Sequence, residues 1–392
     1  MKFAHLSDCH LGGWRQPELQ LLNMESFKKA IEIIINENIN FVIVTGDLFD
    51  SAFPPIEILK ETFAEFKKLK DAGIKVFLIA GSHDYSVSGK TFLDVLEKAG
   101  FCEICAFDNN EDEIILKPSM YNSYYLYGYP GKKSGLEIPD LRKIKIKEPY
   151  EKGFRILMLH TTITEVKGSL PIDSISINEL PKADYYALGH IHTDFEKEIN
   201  NSPVIYSGPI FPNNFKELEE LKYGCFYIID VEGYTKITKK EIKLKEIELF
   251  NIEITNSLTG TQKILSEFEK REVKDKIILL KLSGELEKGK ISDIKFSEIQ
   301  DYLEKKGAYS FLKNISKLEV KKQDMEIKLD TTEMEKIEEQ LFSKYKGDNP
   351  SNFNEKISDL INSLGIEKQE GEKNTIFESR LLSELNKIFN IE

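Results

Sequence analysis

Four of the six histidines in this chain stand in short clusters with aspartate or glycine, and a fifth ends an apolar run. The clusters read Asp8-Cys9-His10, Gly46-Asp47-Leu48-Phe49-Asp50, Gly81-Ser82-His83-Asp84, a single His160, and Gly189-His190-Ile191-His192. Carboxylate and imidazole together suit manganese, iron or zinc. On an extended segment, a D-x-H or H-x-H pair projects both side chains to one face. Six side chains of these types are read as metal-reaching: Asp8, His10, Asp47, His160, His190 and His192. Asp47, central in the series, is placed to bridge two ions. Two cations about 3.5–4 Å apart can hold phosphate oxygens, generate hydroxide near neutral pH and stabilise an in-line displacement. The expected chemistry is phosphate-ester hydrolysis at a two-metal site. Two neighbours are read as packing residues: His5, near Phe3, and Cys9, whose side chain points away from its flanking ligands on an extended segment.

Something must bring five separate clusters to one place, and the surrounding pattern supplies it. Phe3 to Leu6, Phe41 to Thr45, Val76 to Ala80, Tyr124 to Tyr129, Ile156 to His160, Tyr185 to Leu188, Val204 to Ser207 and Cys225 to Val231 read as strands. Met24 to Glu37 reads as a helix with Phe27, Ile31, Ile34 and Ile35 on one face. Pro55 to Ala72 reads as another, opened by a proline and closed near Gly73. Each chemical cluster follows or ends a strand, and open α/β sheets bind ligands at the carboxyl ends of their strands. An α/β fold is predicted.

With 392 residues, two or three domains are expected. The metal-bearing part is assigned to 1–243. From Leu244 the composition turns to Lys/Glu-rich alternation with compact apolar runs at Phe250 to Ile254 and Ile277 to Leu282, around a helical stretch that reaches Lys270. A small α/β domain is expected over 244–320. Residues 321–392 read as helical: Thr332 and Glu335 fit a capping box, Phe353 to Leu364 carry an apolar stripe, and Phe377 to Phe389 carry another after a polar linker from Glu367 to Asn374. Such stripes, with little chain left to bury them, dock either on the protein's own body or on a partner.

The net charge of −12 argues against a protein that coats itself in nucleic acid through bulk electrostatics. Bound divalent cations add local positive charge that this sum omits, so a nuclease is not excluded. Four scattered cysteines form no disulfide framework, and Cys102-x-x-Cys105 lacks a second pair for zinc. No charged start with an apolar run precedes Asp8, and no aliphatic stretch approaches bilayer length. A cytoplasmic address with no membrane contact is expected.

The series D-x-H, G-D, G-S-H-D, H and G-H-x-H resembles the calcineurin-like metallophosphoesterases. The fuller forms from Asp8 to Gly12 and Gly46 to Asp50 are similar to the nuclease subunit of the double-strand-break repair complex, SbcD and the meiotic-recombination-eleven nuclease, over residues 1 to about 232. The resemblance implies a four-layer α/β/β/α sandwich with a small capping domain. Asp8, His10 and His192 would hold one ion, His160 and His190 the other, with Asp47 between them, and the ions would be manganese. His83 would assist departure of the 3′ oxygen, a role suited to an imidazole, and Asp84 would orient it. The resemblance also implies DNA ends as substrate without sequence preference, a homodimer, and terminal helices that bind an SMC-like ABC ATPase of the SbcC type.

One position departs from the family. Ser82 stands where the pattern carries asparagine, so the resemblance makes it a seventh metal-reaching side chain, and a hydroxyl reaches about 1.5 Å less far. Either a water fills the gap or the second ion binds poorly. Two other readings stay open: a general phosphoesterase acting on small or protein substrates, and a non-catalytic adaptor of the ATPase. The apolar helices at Pro55 (Ile56, Ile58, Leu59, Phe63, Phe66) and Thr91 to Ala99 (Phe92, Leu93, Val95, Leu96) offer either a self-association patch or a thicker core.

Overall fold

The computed structural model describes residues 1–86, 91–110, 112–149, 153–168 and 171–321, and in the C-terminal stretch 356–366, 368–369, 372 and 374–389. The chain forms two compact units, Met1–Lys321 and Lys322–Glu392.

Short runs of β-branched and aromatic residues build two six-stranded sheets in the first unit. The first is ordered Tyr234–Ile242, Gly224–Glu232, Lys2–Leu6, Phe41–Thr45, Lys75–Ile79, Glu103–Ile104, and its last four strands are parallel. The second is ordered Asp194–Ile199, Ser202–Ser207, Tyr185–Gly189, Phe154–His160, Tyr124–Tyr129, Ser119–Tyr121, with four parallel strands at its centre. Alternation along each strand divides the apolar residues between two layers. Phe3, Phe41, Ile43 and Phe77 of the first sheet meet Leu126, Ile156, Met158 and Ala187 of the second in a buried middle layer. Val42, Val44, Val76 and Leu78 face the other way, onto Phe27, Ile31 and Ile34 of helix Pro17–Asn36 and Phe66 of helix Ile56–Asp71.

This is the predicted α/β sandwich, with a thinner fourth layer than expected. The outer face of the second sheet is covered by short helices at Ile138–Leu141 and Thr164–Lys167 and by a three-stranded sheet of Phe107–Asn109, Ile114–Leu116 and Ile144–Lys145. The first helix begins at Pro17, seven residues before the predicted start at Met24. Its opening turns bury Leu19 and Leu22 in a different cluster from Phe27 and Ile31, so the two apolar stripes do not share one face. The edge strand Tyr234–Ile242 escapes an apolar pattern because it carries Lys236, Lys239 and Lys240, charge of the kind that guards a sheet edge from pairing with another chain.

Residues 247–320 form a β-α-β-α-β unit with a wholly parallel three-stranded sheet, Ile247–Glu253, Ile277–Leu286 and Ser310–Val320. The middle strand is apolar on both faces. Ile278, Leu280 and Leu282 pack on its own helices, whereas Ile277 and Leu279 pack on Trp14, Leu19, Leu22, Phe211 and Leu218 of the main body.

On the two apolar helices, Ile58, Leu59, Phe66, Leu93 and Leu96 are absorbed into the core. Ile56 and Val95 remain exposed, as does Phe53 just before the first of these helices. In the second unit, helices Ile357–Leu364 and Asn374–Phe389 contact each other and leave Leu364, Ile376 and Leu382 exposed. The capping box at Thr332 and Glu335 lies outside the described residues. No described helix is long and apolar enough to cross a membrane.

Candidate metal centre

All five clusters lie at the carboxyl ends of parallel strands, three in the first sheet and two in the second. Facing sheets therefore deliver their loops to one edge of the sandwich. The loops after Lys2–Leu6 and Phe41–Thr45 are laced together by backbone hydrogen bonds from Asp8, His10 and Leu11 to Gly46, Asp47 and Leu48.

The segments are not extended, contrary to the sequence expectation. Asp8, His10, Asp47 and His190 have φ of 50°, 42°, 50° and 96°. Left-handed backbone at a residue with a Cβ costs of order 1–3 kcal/mol, and such strain clusters at functional sites. The cost is offset locally: Asp8 accepts from the Ser7 hydroxyl at 2.6 Å and from the His190 backbone N–H at 3.0 Å, while Asp47 accepts from the His83 N–H at 2.7 Å. Cys9 is buried among Leu6, Leu11 and Met24, as packing requires. His5 is also buried, with Nδ1 on Tyr185 and Nε2 on Thr45 at 3.0 and 2.9 Å.

One ligand atom each from Asp8, His10, Asp47 and His192 lies within 4.8 Å of the others. The Nε2 atoms of His10 and His192 are 2.9 Å apart. Asp47 Oδ2 lies 3.6 Å from His10 Nε2, and Asp8 Oδ1 lies 3.8 Å from His192 Nε2. The outer nitrogens of both rings are already committed, His10 Nδ1 to Asp50 at 3.1 Å and His192 Nδ1 to Glu217 at 2.9 Å. Neutral rings that donate from Nδ1 turn bare lone pairs toward each other and toward two carboxylates. Such an arrangement fits a cation with nitrogen and oxygen ligands at its centre.

His160 sits on the other side of Asp47, with its Nε2 3.1 Å from Asp47 Oδ2. Its Nδ1 donates to the Thr45 carbonyl at 2.9 Å, and its Nε2 is buried without a hydrogen-bond partner. A buried, orphaned imidazole nitrogen beside a carboxylate fits a second cation. The His190 ring stands 5.1 Å from the His160 ring, and the Ser82 hydroxyl is 3.4 Å from Asp47 Oδ2.

Burial opposes charge throughout the site, and the neighbouring groups answer that cost in different directions. Asp47 is held well below the usual carboxylate range, because His160 and His10 outweigh its desolvation. Burial acts against a charged His160, but Asp47 lifts its pKa to about 10. His192 is raised to about 9 by its bond to Glu217 against the same burial. His190 is lowered by burial and by His160.

The family of calcineurin-like phosphoesterases matches residues 1–194. A protein of Methanococcus maripaludis named DNA double-strand break repair protein Mre11 is 30% identical over 275 residues, 66% of this chain and 68% of its own length. The chain belongs to the Mre11 family of calcineurin-like phosphoesterases. Two further Mre11 proteins extend the likeness. That of Methanocaldococcus jannaschii is 29% identical over 76% of this chain and 77% of its own, and that of Sulfolobus acidocaldarius is 26% identical over 94% and 92%.

In this Mre11-family chain, His83 is the half-exposed member of the group. It lines a cleft of about 1190 Å³ together with Ser82 and His190. Its Nδ1 donates to the Asp50 carbonyl at 2.8 Å, and its ring stands 4.7 Å from that of His10. Asp84 does not orient it, contrary to the sequence expectation. Both Asp84 oxygens are taken by backbone N–H groups of Gly81, Leu48 and Phe49 at 3.0 to 3.1 Å, so Asp84 pins the second loop to the third. Burial and the nearby Asp47 push Asp84 up to about 6, against the pull of those three donors.

Two residues of the outer ring went unassigned in the sequence. Asp50 was visible in its motif without a role, and its carboxylate holds His10. Glu217 carries no local signal and reaches His192 only through the fold.

Proposed function

We propose that this chain is a metal-dependent DNA nuclease that hydrolyses phosphodiester bonds at DNA ends in double-strand-break repair. The reading is carried by the opposed Nε2 atoms of His10 and His192, 2.9 Å apart, each with Nδ1 committed to a carboxylate. Asp8, His10 and His192 would hold one divalent cation and His160 and His190 the other, with Asp47 between them and Ser82 acting through water. Bound cations, manganese as the family resemblance implies, would supply Lewis-acid polarisation of the phosphate and a nucleophilic hydroxide near neutral pH.

The chain's own residues perform the rest. Asp50 and Glu217 fix the tautomers of His10 and His192, and the Thr45 carbonyl fixes that of His160. His83 donates from Nδ1 to a carbonyl, so its imidazolium form carries a second N–H at Nε2, and that proton would pass to the 3′ oxygen as the P–O bond breaks, leaving the ring neutral. The cleft beside it exceeds the usual size of small-molecule pockets and has exposed Phe53 and half-exposed Tyr85 and Ile172 on its walls, which favours a polymer over a small phosphoester.

Residues 244–320 would cap the DNA groove, and the helices of 321–392, with apolar side chains left exposed, would receive an SMC-like ATPase of the SbcC type. Exposed Ile56 and Val95 would serve a homodimer. Four unpaired thiols suit a reducing, cytoplasmic address.

The test is degradation of an end-labelled linear duplex with manganese, run beside His83→Ala and a chelator. Hydrolysis by wild type alone supports the reading. An inert wild type that binds manganese would favour the adaptor reading, and hydrolysis of small phosphoesters without DNA cleavage would favour a general phosphoesterase.

A further inference from the structure

The helix Phe215–Leu221 and the turn before it touch the first cation cluster and the cap sheet at once. On one side, Glu217 receives His192 Nδ1 at 2.9 Å and the Asn213 backbone N–H at 2.7 Å. The Asn213 side chain stands beside Asp50, which holds His10. Both imidazoles of the cluster thus lean on this one segment.

On the other side, Glu219 pairs with Lys281 of the cap strand Ile277–Leu286, its two oxygens 2.6 and 2.8 Å from Nζ. Leu218, fully buried, belongs to the same cluster as Ile277 and Leu279 of that strand. With 3.6 residues per turn, positions 217 and 219 lie about 200° apart around the helix, so one faces the site while the other faces the cap. The pairing of the cap strand is irregular between Lys281 and Ser283, and bulges of this kind re-aim a side chain.

We propose that this helix is a relay that couples the position of the cap to cation binding at Asp8, His10, Asp47 and His192. Glu217 is its positioning residue and the Lys281–Glu219 pair its outer anchor. The proposal rests on the reading of that cluster as a cation site. A close-packed element of two turns cannot bend between its contacts, so a cap that shifts carries Leu218 and Glu219 with it and swings Glu217 away from His192. Ligand distances at a metal tolerate only about 0.2 Å. The coupling is reciprocal: the bound ion favours one cap position, and whatever lies beneath the cap changes the affinity for the ion.

Calorimetric titration of the full chain with Mn²⁺ tests this, with thermal melting as a check on folding. Lys281→Glu is expected to weaken one of two binding events about tenfold, the lower end of the cost of losing an outer partner of a metal-bound histidine, and to spare the other. The exchanged pair Lys281→Glu with Glu219→Lys is expected to restore it. Amide exchange over 215–221 should slow on adding Mn²⁺ to wild type and not to Lys281→Glu. Wild-type affinity in Lys281→Glu, or a loss that the exchanged pair fails to restore, overturns the relay while leaving the site reading intact. A wild-type chain that binds no Mn²⁺ overturns the site reading and the relay with it.

Discussion

The carboxylate of Asp47 occupies the space that a side chain at Gly81 would need: a Cβ built there would come 2.2 Å from both Asp47 Oδ1 and Asp47 N. Gly81 thus admits the central carboxylate between the two sheets. Gly81→Ala is expected to destabilise the chain by about 1–3 kcal/mol, as overpacking does, and to abolish DNA hydrolysis by displacing Asp47. Chemical denaturation and a nuclease assay check it; a variant that matches wild type in both would show that the Asp47 loop has slack.

Asp50 holds His10 through its side chain and His83 through its carbonyl. Asp50→Asn keeps the carbonyl and the shape but removes the charge. Manganese affinity is expected to fall about 10–100-fold, with hydrolysis recovered as manganese is raised. Titration of activity against manganese separates this from a direct catalytic role, in which no concentration would restore the rate.

Ser82 lies 3.4 Å from Asp47 Oδ2 in a position where an amide would reach further. Ser82→Asn is expected to tighten the weaker of two manganese binding events by several-fold, because a direct oxygen ligand would replace the water-mediated one proposed above. Calorimetry reads this directly, and an unchanged isotherm would show that Ser82 already serves the site fully.

His5 provides a pH signature away from the proposed cation site. Burial lowers its pKa from 6.5 to about 3, so the native state resists a proton that the unfolded state accepts. The unfolded chain therefore binds more protons between pH 6.5 and 3, and the contribution of His5 to stability is lost as pH falls through that window. The slope is at most about 1.4 kcal/mol per pH unit. Asp84, raised to about 6, opposes it below that value by favouring the native state as it protonates. His5→Gln, which can keep a partner for Thr45 and Tyr185, is expected to flatten the acid limb relative to wild type. Denaturation at pH 7 and pH 5 measures the difference, and parallel limbs would place the acid sensitivity elsewhere.

Much of this protein was legible in the residues alone. The eight strands that carry and surround the motifs were readable because alternation and β-branching are local properties, and the clusters sit at strand ends because parallel sheets expose their loops there. His10, His160 and His192 were recognisable by type and spacing for the same local reason. Tertiary structure alone decided what holds them. His10 meets His192 across 182 residues, His160 meets Thr45 across 115, and His192 meets Glu217 across 25. The left-handed turns at Asp8, His10 and Asp47, the bracing role of Asp84 and the outer carboxylates Asp50 and Glu217 follow from those meetings. A side chain's type limits the chemistry it can do, and its neighbours decide which of those chemistries it performs; residues distant in sequence become neighbours only when the two sheets close on each other.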